Sequence, residues 1–211
     1  FSMTIMSDII YPSSSSSLSQ NNTPGYSYSA AEAAVAASVV SAASLFDDVK
    51  DCPYAFEVHF RCSSDKYLSQ DFHKIGDMVI VHCDRGYNIG FVNRELDSHE
   101  MFQLCNGQYK PKKILAELPQ HDDKICEMLL SKITAENYAL EECRTHCQGR
   151  RIGALTDILG AEFQFDRKRL TIFIKVYENV SVCRLVRKLY DTFKMRVKVL
   201  EVDSVDAMEQ R

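Results

Sequence analysis

The chain has 211 residues, of which 45% are hydrophobic and 26% are charged. A chain of this length can bury a core, and one domain of about 150 residues with a tail fits it better than two domains. No apolar run approaches about 18 residues, which argues against a membrane protein, and the net charge of -4 does not by itself indicate a nucleic-acid binder.

The distribution of charge is more informative than its sum. Between Arg144 and Lys198 there are thirteen basic and five acidic residues, a local charge of +8, which leaves -12 for the remainder. Such asymmetry favours a basic face that meets an acidic partner, with RNA as one candidate. A solvated surface without a partner is an equally reasonable interpretation.

The eight cysteines fall mostly inside apolar patterns, and no secretory signal precedes them. This usage is typical of buried free thiols in a reducing compartment, so we expect a cytoplasmic protein. The first residue is Phe1 and not Met, which suggests a fragment or an artificial junction, so targeting information could lie outside this sequence.

Residues 1–53 are predicted to form a low-complexity tail. Ser13 to Ser17 offer little to bury, whereas Ala30 to Leu45 is Ala-rich and favours a helix. An isolated helix of this kind is marginal in water, so we expect residues 1–50 to dock on a partner protein or on the chain's own domain.

A β module is predicted over residues 54–98. Residues 54–62 alternate apolar and polar side chains, as in a half-buried strand. Residues 77–92 read as a hairpin, because a β-branched run is followed by Asp84-Arg85-Gly86, and Gly86 can take the positive φ of the turn. Gly90 indicates a bulge or a close approach of another backbone. An antiparallel sheet or a partly closed barrel follows.

The middle of the chain is predicted to be a connector followed by helices. Pro111 is well placed to begin a short helix, which Pro119 would end. A long helix is predicted over residues 122–148, with Asp122 and Asp123 at its N-terminus. Its expected apolar stripe consists of Cys126, Leu129, Leu130, Ile133 and Leu140.

The α+β module, residues 111–203, continues with strands over 158–165 and 169–177, a helix over 181–194 and a strand over 195–202. Ser181 is the expected N-cap of that helix. The order α-β-β-α-β predicts an α+β fold whose second half is a ferredoxin-like ββαβ arrangement without an obvious first strand.

Two sequence blocks resemble the polymerase-suppressor (Psp-one) C-terminal domain family, whose bacterial members are the RicT/YaaT proteins. The first block is the hairpin motif, formed by Gly76, Asp77, Asp84, Arg85, Gly86 and Gly90. The second runs from Ala161 to Asp166 and on through the last strands and helix. The resemblance covers about residues 54–202.

The resemblance implies a non-enzymatic regulator of RNA. Bacterial relatives look like accessory subunits that direct RNA processing by a nuclease, and eukaryotic relatives include trypanosomatid proteins that bind elements in messenger RNA. The bacterial cysteine-rich ending associated with iron–sulfur clusters has no counterpart at Ser204 to Arg211, so we expect no cofactor.

An RNA-binding face is predicted on the last strands. In the strand 170–177, Leu170, Ile172, Ile174 and Val176 would meet the helices, and the alternate residues would point the other way. Aromatic rings interleaved with cations suit single-stranded RNA. The predicted RNA-binding residues are Arg167, Lys168, Arg169, Phe173, Lys175, Tyr177, Arg196 and Lys198. Packing of this face on the first module, or on another subunit, is the alternative.

Other combinations of reactive residues are weaker. Cys143, His146 and Cys147 share one helix face and could bind a metal, but zinc usually takes four such ligands, and core thiols are favoured. The sequence His82-Cys83-Asp84 fails as a catalytic trio, because successive strand residues point to opposite faces. We therefore expect no enzyme.

Three functions remain. The leading hypothesis is an RNA-binding or RNA-processing regulatory subunit of a protein complex, acting post-transcriptionally. The alternative is a protein–protein adaptor or scaffold without direct RNA contact. A weaker third is a metal or redox sensor that uses Cys143, His146 and Cys147.

Overall fold

The computed structural model describes residues 52–107, 110–119, 122–148, 151–178 and 181–202. These residues form a mixed α+β structure, as predicted. The predicted tail and its Ala-rich helix lie outside the described residues, apart from Cys52 and Pro53. None of the helices in the described ranges combines the length and the apolar character that a membrane crossing needs.

The first part of the structure is a closed five-stranded barrel. Its strands are β1 (Tyr54–His59), β2 (Ser64–Ser69), β3 (Met78–His82), β4 (Tyr87–Glu95) and β5 (Lys112–Glu117), in the order β1-β2-β5-β3-β4. The β2–β5 pair is parallel, and the other neighbours are antiparallel. A barrel has no free edges, so the structure goes beyond the partly closed sheet of the prediction.

Strand β3 is buried on both faces, which explains its uninterrupted apolar sequence. Val79 and Val81 belong to the apolar cluster that contains Phe56 and Tyr67. Met78 and Ile80 pack in a second cluster, together with Phe165 and the start of the long helix. The barrel is thus covered on this side by the second half of the chain.

The predicted hairpin is confirmed by strands β3 and β4. Gly86 has a φ of +82°, and the N–H of Cys83 donates to the carbonyl of Gly86 at 2.9 Å. Gly90 lies where strand β1 approaches closely, since a Cβ there would lie 2.6 Å from Val58 Cγ1 and 2.7 Å from the carbonyl oxygen of His59. The expected close approach of another backbone at Gly90 is therefore confirmed.

The connector was predicted wrongly. Its helix is α1 (Ser98–Cys105), which begins with a capping box between Asp97 and Glu100. The segment after Pro111 is strand β5, which closes the barrel by pairing with β2 and β3. The hydrogen bonds between the strands outweigh the local helix propensity of this segment. The β module therefore extends to residue 117, past its predicted end at 98.

Helix α2 (Asp123–Cys147) begins where predicted, with the carboxylate of Asp122 accepting from the N–H groups of Lys124 and Ile125. Its predicted apolar stripe is partly wrong, since Cys126, Leu130 and Ile133 are exposed. The buried face is formed by Ile125, Met128, Lys132, Ala135, Glu136, Ala139, Cys143 and Cys147. It includes an ion pair, Lys132 Nζ to Glu136 Oε1 at 2.7 Å.

The second part of the structure is a three-stranded sheet in the order β6-β7-β8. After the short helix α3 (Arg151–Leu155) come β6 (Thr156–Phe163), β7 (Arg169–Val176), helix α4 (Cys183–Phe193) and β8 (Arg196–Glu201). Helices α2 and α4 cover one face of the sheet, on which Leu170, Ile172 and Ile174 are buried.

Two details of this half differ from the prediction. Strands β7 and β8 are direct parallel neighbours, so the βαβ unit is not split by another strand as in a ferredoxin-like fold. Val182 and not Ser181 is the N-cap of helix α4, and it makes no side-chain capping bond. Leu185 and Leu189 form the buried side of α4 and are each 1% exposed.

Candidate nucleic-acid interface

The two sequence blocks that resemble one family contact each other in space. Gln164 Nε2 donates to the carbonyl of Arg85 at 2.5 Å, and the N–H of Phe165 donates to Asn88 Oδ1 at 3.0 Å. The N–H of Tyr87 donates to Asp166 Oδ2 at 3.3 Å. The turn of the hairpin is therefore held against the turn between β6 and β7.

A second set of buried contacts joins the barrel to the sheet on the other side of this junction. Glu162 Oε2 accepts from the N–H of Cys62 at 2.9 Å and from Ser63 Oγ at 3.1 Å. Glu136 Oε2 accepts from Arg61 Nη1 at 3.1 Å. The β1–β2 loop is thus bonded to both β6 and α2, which fixes the position of the barrel relative to the sheet.

A cleft of about 580 Å³ lies between the barrel and the sheet. It is lined by cations from five segments: β2, the hairpin turn, the approach to β5, the start of β7, and β8. These cations are Lys66, Arg85, Lys110, Lys112, Lys168, Arg169, Arg196 and Lys198. Asp65 and Asp84 are the acidic residues that line it. We call this the basic cleft.

The register of strands β7 and β8 places their cations together. Arg169 pairs with Arg196, and Thr171 pairs with Lys198. Paired residues of neighbouring strands project from the same face of a sheet, and this face is opposite to the one that the helices cover. The sequence could not establish the relative facing of these strands, which depends on their register.

Ion pairs hold the centre of the basic cleft. Asp84 lies 3.5 Å from both Lys112 Nζ and Arg169 Nη1, and Lys112 Nζ lies 2.8 Å from Asp65. Burial alone would raise the pKa of Asp84, but Lys112 and Arg169 lower it. Burial disfavours the charged form of Lys112, yet Asp65 and Asp84 raise its pKa. Asp84 and Lys112 are therefore charged at neutral pH.

Four of the eight predicted RNA-binding residues line the basic cleft, namely Lys168, Arg169, Arg196 and Lys198. Phe173 does not stand on an open face: it is 3% exposed and packs against Cys62, so it is not available to stack on a base. Phe173 therefore fits the alternative interpretation, in which this face of the strand packs on the first module.

The other three predicted residues lie away from the cleft. Lys175 Nζ lies 5.3 Å from the ring centre of Tyr177, whose hydroxyl donates to Asp157. The guanidinium of Arg167 covers the ring of Phe163 at 4.8 Å.

Sequence reasoning missed Lys66, Lys110 and Lys112. Lys110 and Lys112 flank Pro111 in a short basic run that could have been noticed, but the prediction of a helix there removed it from consideration. Lys66 lies on a strand with no local signal of this kind. Its position in the cleft depends on barrel closure, which places β2 next to β5.

The proposed metal-binding cysteines are core residues. Cys143 is 0% and Cys147 3% exposed, and burial raises the pKa of Cys143 to about 12. A thiol of this kind is a poor metal ligand, since metals bind the thiolate. Burial likewise raises the pKa of Cys62 and Cys83 to about 12. All eight cysteines are free, five of them buried, which confirms the prediction of free thiols.

A different group, His73, Asp77 and Glu117, brings three potential ligand atoms within 4.8 Å of one another. Hydrogen bonds account for this arrangement. His73 contacts Ser69 Oγ at 3.0 Å and Glu117 Oε2 at 3.3 Å. Asp77 Oδ2 accepts from the N–H of Lys74 at 2.6 Å, which forms the turn that contains Gly76, with a φ of +93°. The Gly76-Asp77 part of the hairpin motif thus serves the entry to β3.

Comparison with known proteins identifies one family and one curated relative. Residues 112–202, from the first residue of β5 to the end of the sheet, match the family model of the PSP1 C-terminal conserved region. An uncharacterized protein of Schizosaccharomyces pombe is 25% identical over 156 residues, which cover 63% of this chain and 20% of that protein. The chain thus spans about a fifth of that relative. No solved structure matches the chain.

Proposed function

Since residues 112–202 belong to the PSP1 C-terminal conserved region family, we propose that this protein is a non-enzymatic RNA-binding subunit of a regulatory complex in the cytoplasm. The basic cleft binds the phosphates of single-stranded RNA. The family match supports a shared architecture. The class of ligand is inferred from the chemistry of the basic cleft.

The observation that carries this proposal is the convergence of eight cations on one cleft. Asp65 and Asp84 neutralise part of this charge, and Glu100 and Asp166 pair with Lys66 and Lys168, which leaves an excess of four positive charges around a space of about 580 Å³. Concentrated charge of one sign in a groove attracts a polyanion more strongly than the same charge spread over a surface. A net charge of -4 for the whole chain disfavours indiscriminate binding elsewhere.

Binding should depend on salt. Each phosphate contacted on a single strand adds about 0.7 to the slope of log K against log salt concentration. Four neutralised phosphates would give a slope of about -3. Fluorescence anisotropy with a labelled single-stranded RNA, measured from 50 to 200 mM salt, gives this slope directly.

A matched pair of variants locates the site. Arg196→Gln with Lys198→Gln removes two cations from the basic cleft and should reduce the slope by about 1.4. Arg187→Gln with Lys188→Gln removes two exposed cations from helix α4, behind the sheet, and should leave the slope unchanged. Circular dichroism checks that both variants fold.

Absence of RNA binding at 50 mM salt would refute the proposal. An equal loss in both variants would show that general charge, not the cleft, is responsible.

A protein–protein adaptor is the second candidate function, and exposed apolar side chains favour it. Leu130 and Ile133 on helix α2 are 64% and 43% exposed, and Phe72 and Ile75 next to the barrel are 56% and 75% exposed. Surfaces of this kind can bind a partner protein without RNA. Binding of a partner by a variant that has lost the cations of the cleft would support it.

A further inference from the structure

Behind the basic cleft lies a second cavity of about 250 Å³, which we call the inner recess. It shares five lining residues with the basic cleft: Asp65, Asp84, Lys112, Arg169 and Lys198. A ligand lying in the cleft would therefore have direct access to the recess.

The walls of the inner recess combine aromatic and apolar side chains with polar ones. Phe60 is half-buried and lines it, whereas Tyr67 and Phe173, which also line it, are 2% and 3% exposed. The rings of Phe60 and Tyr67 contact each other edge to face, with centroids 6.2 Å apart. Leu200 and Val202 line it from strand β8. The ring of Phe60, together with these apolar side chains, suits a flat, uncharged group.

The inner recess also presents polar atoms, and one of them lacks a partner. The hydroxyl oxygen of Ser64 is buried and makes no hydrogen bond among the described residues. An unsatisfied buried hydroxyl is unfavourable, so a ligand that bonds it gains affinity. Glu162 and Thr171 also line the recess. A ligand here needs hydrogen-bonding atoms on its edge.

The charges are divided between mouth and interior. Lys112, Arg169 and Lys198 lie where the inner recess meets the basic cleft, with Asp65 and Asp84 beside them, so the mouth has an excess of one positive charge. The acidic Glu162 lies only in the recess. Burial raises the pKa of Glu162, with Lys132 and the N–H of Cys62 acting in the opposite direction. A phosphate would be attracted to the mouth but has no cation of its own farther inside.

We propose that the inner recess receives one unstacked base of the RNA whose phosphates lie along the basic cleft. This inference rests on the proposed function and extends it from backbone binding to the reading of a base. A nucleobase is flat and uncharged, and its edge carries donors and acceptors, which matches the half-buried ring of Phe60 and the Ser64 hydroxyl. The phosphates on either side of that base would meet the cations at the mouth.

The test uses abasic RNA, which retains sugars and phosphates but has no bases. An octamer that is abasic throughout is compared with four octamers that carry one base, A, C, G or U, at the fourth position. The wild-type chain should bind at least one of the single-base octamers about fivefold or more tightly than the abasic octamer, since stacking of one base contributes about 1–3 kcal/mol.

Variants connect this gain to the inner recess. Ser64→Leu fills the cavity and should abolish the gain while it leaves the salt-dependent binding of the abasic octamer intact. Ser131→Leu, at an exposed serine of helix α2, is the control and should behave as wild type. If Ser64→Leu does not fold, Ser64→Ala decides: it should narrow the spread of affinities among the four bases.

The outcomes separate this inference from the proposed function. Equal binding of abasic and single-base octamers by the wild type would overturn the base site. The proposal that the basic cleft binds RNA phosphates would be unaffected. A gain that persists unchanged in Ser64→Leu, or a spread that persists unchanged in Ser64→Ala, would also overturn it. No binding of any octamer at low salt would refute both.

Discussion

Replacing Glu136 with Gln is expected to destabilise the protein strongly, because Glu136 is the centre of the buried contacts that join the two halves. Glu136 Oε1 lies 2.7 Å from Lys132 Nζ and accepts from the N–H of Phe163 at 2.9 Å. Glu136 Oε2 lies 3.1 Å from Arg61 Nη1. The side chain of Glu136 is 0% exposed and that of Lys132 is 6% exposed.

The size of the effect follows from what the substitution leaves behind. Gln keeps an acceptor for the N–H of Phe163 but removes the charge that faces Lys132. Loss of one partner of a buried pair costs about 3–5 kcal/mol. We expect the lower end, about 3 kcal/mol, because Glu162 also interacts with Lys132, and the partly exposed Arg61 contributes little.

Urea denaturation followed by circular dichroism measures this change. With an m-value of about 2 kcal/mol/M, the midpoint should fall by about 1.5 M. Glu141→Gln is the matched control, since Glu141 pairs with Arg144 at 2.9 Å on the exposed side of the same helix. Its effect should stay within about 0.5 kcal/mol.

A free energy of unfolding for Glu136→Gln within about 1 kcal/mol of wild type would refute the reasoning. It would mean that Lys132 finds solvent or another anion without cost. The double variant Lys132→Met with Glu136→Gln should recover part of the loss, because it removes the buried charge that has lost its partner.

Three further predictions concern the core and the junction. Because burial raises the pKa of Glu162, the folded state keeps its proton at a higher pH than the unfolded state, whose pKa is near 4.5. Wild-type stability should therefore fall relative to Glu162→Gln as the pH rises from 4.5 to 8, and a constant difference in unfolding free energy would contradict this. Gly90→Ala should destabilise the protein by about 1–3 kcal/mol in urea denaturation. Gly107→Ala is the control and should not destabilise it, because its new Cβ would meet nothing closer than 3.4 Å. Equal effects of the two substitutions would rule out the close approach at Gly90. Phe173→Ala should lower the unfolding free energy by about 3–5 kcal/mol, and Tyr177→Ala should lower it by less than about 1 kcal/mol. Similar losses in the two variants would contradict the burial of Phe173.

Local patterns in the sequence predicted the elements whose signals are self-contained. The hairpin depends on Gly86 and a β-branched run, and the helix α4 depends on the spacing of Leu185 and Leu189. Strand β5 could not be predicted in this way. Its partners β2 and β3 are distant in sequence, and Pro111 gave a local signal for a helix that barrel closure overrides.

The buried face of helix α2 shows a second limit. Lys132 and Glu136 look like surface residues in a sequence, so the apolar stripe was assigned to Leu130 and Ile133, on the wrong side of the helix. The pair is buried because its members neutralise each other and because Arg61, from the barrel, completes the set. Such compensation depends on tertiary contacts.

Only part of the candidate site was predicted, because its assembly also depends on tertiary contacts. Arg196 and Lys198 were predicted as binding residues, and their alternate positions on one strand, which place them on one face, are local information. That the same face meets Lys66 and Lys112 depends on how the barrel docks on the sheet, through contacts such as that of Gln164 with Arg85. A charge count along the chain detects an excess of cations but not their convergence.

The position of strand β5 has a consequence for how the chain folds during synthesis. Strands β1 to β4 leave the ribosome as two hairpins with a gap between β2 and β3, and the strand that fills this gap comes after helix α1. Until residue 117 has emerged, β2 and the apolar strand β3 each keep an unpaired edge. The family match begins at the first residue of this closing strand, so cutting the gene at that boundary would leave the nascent barrel open on one fragment and a lone strand on the other.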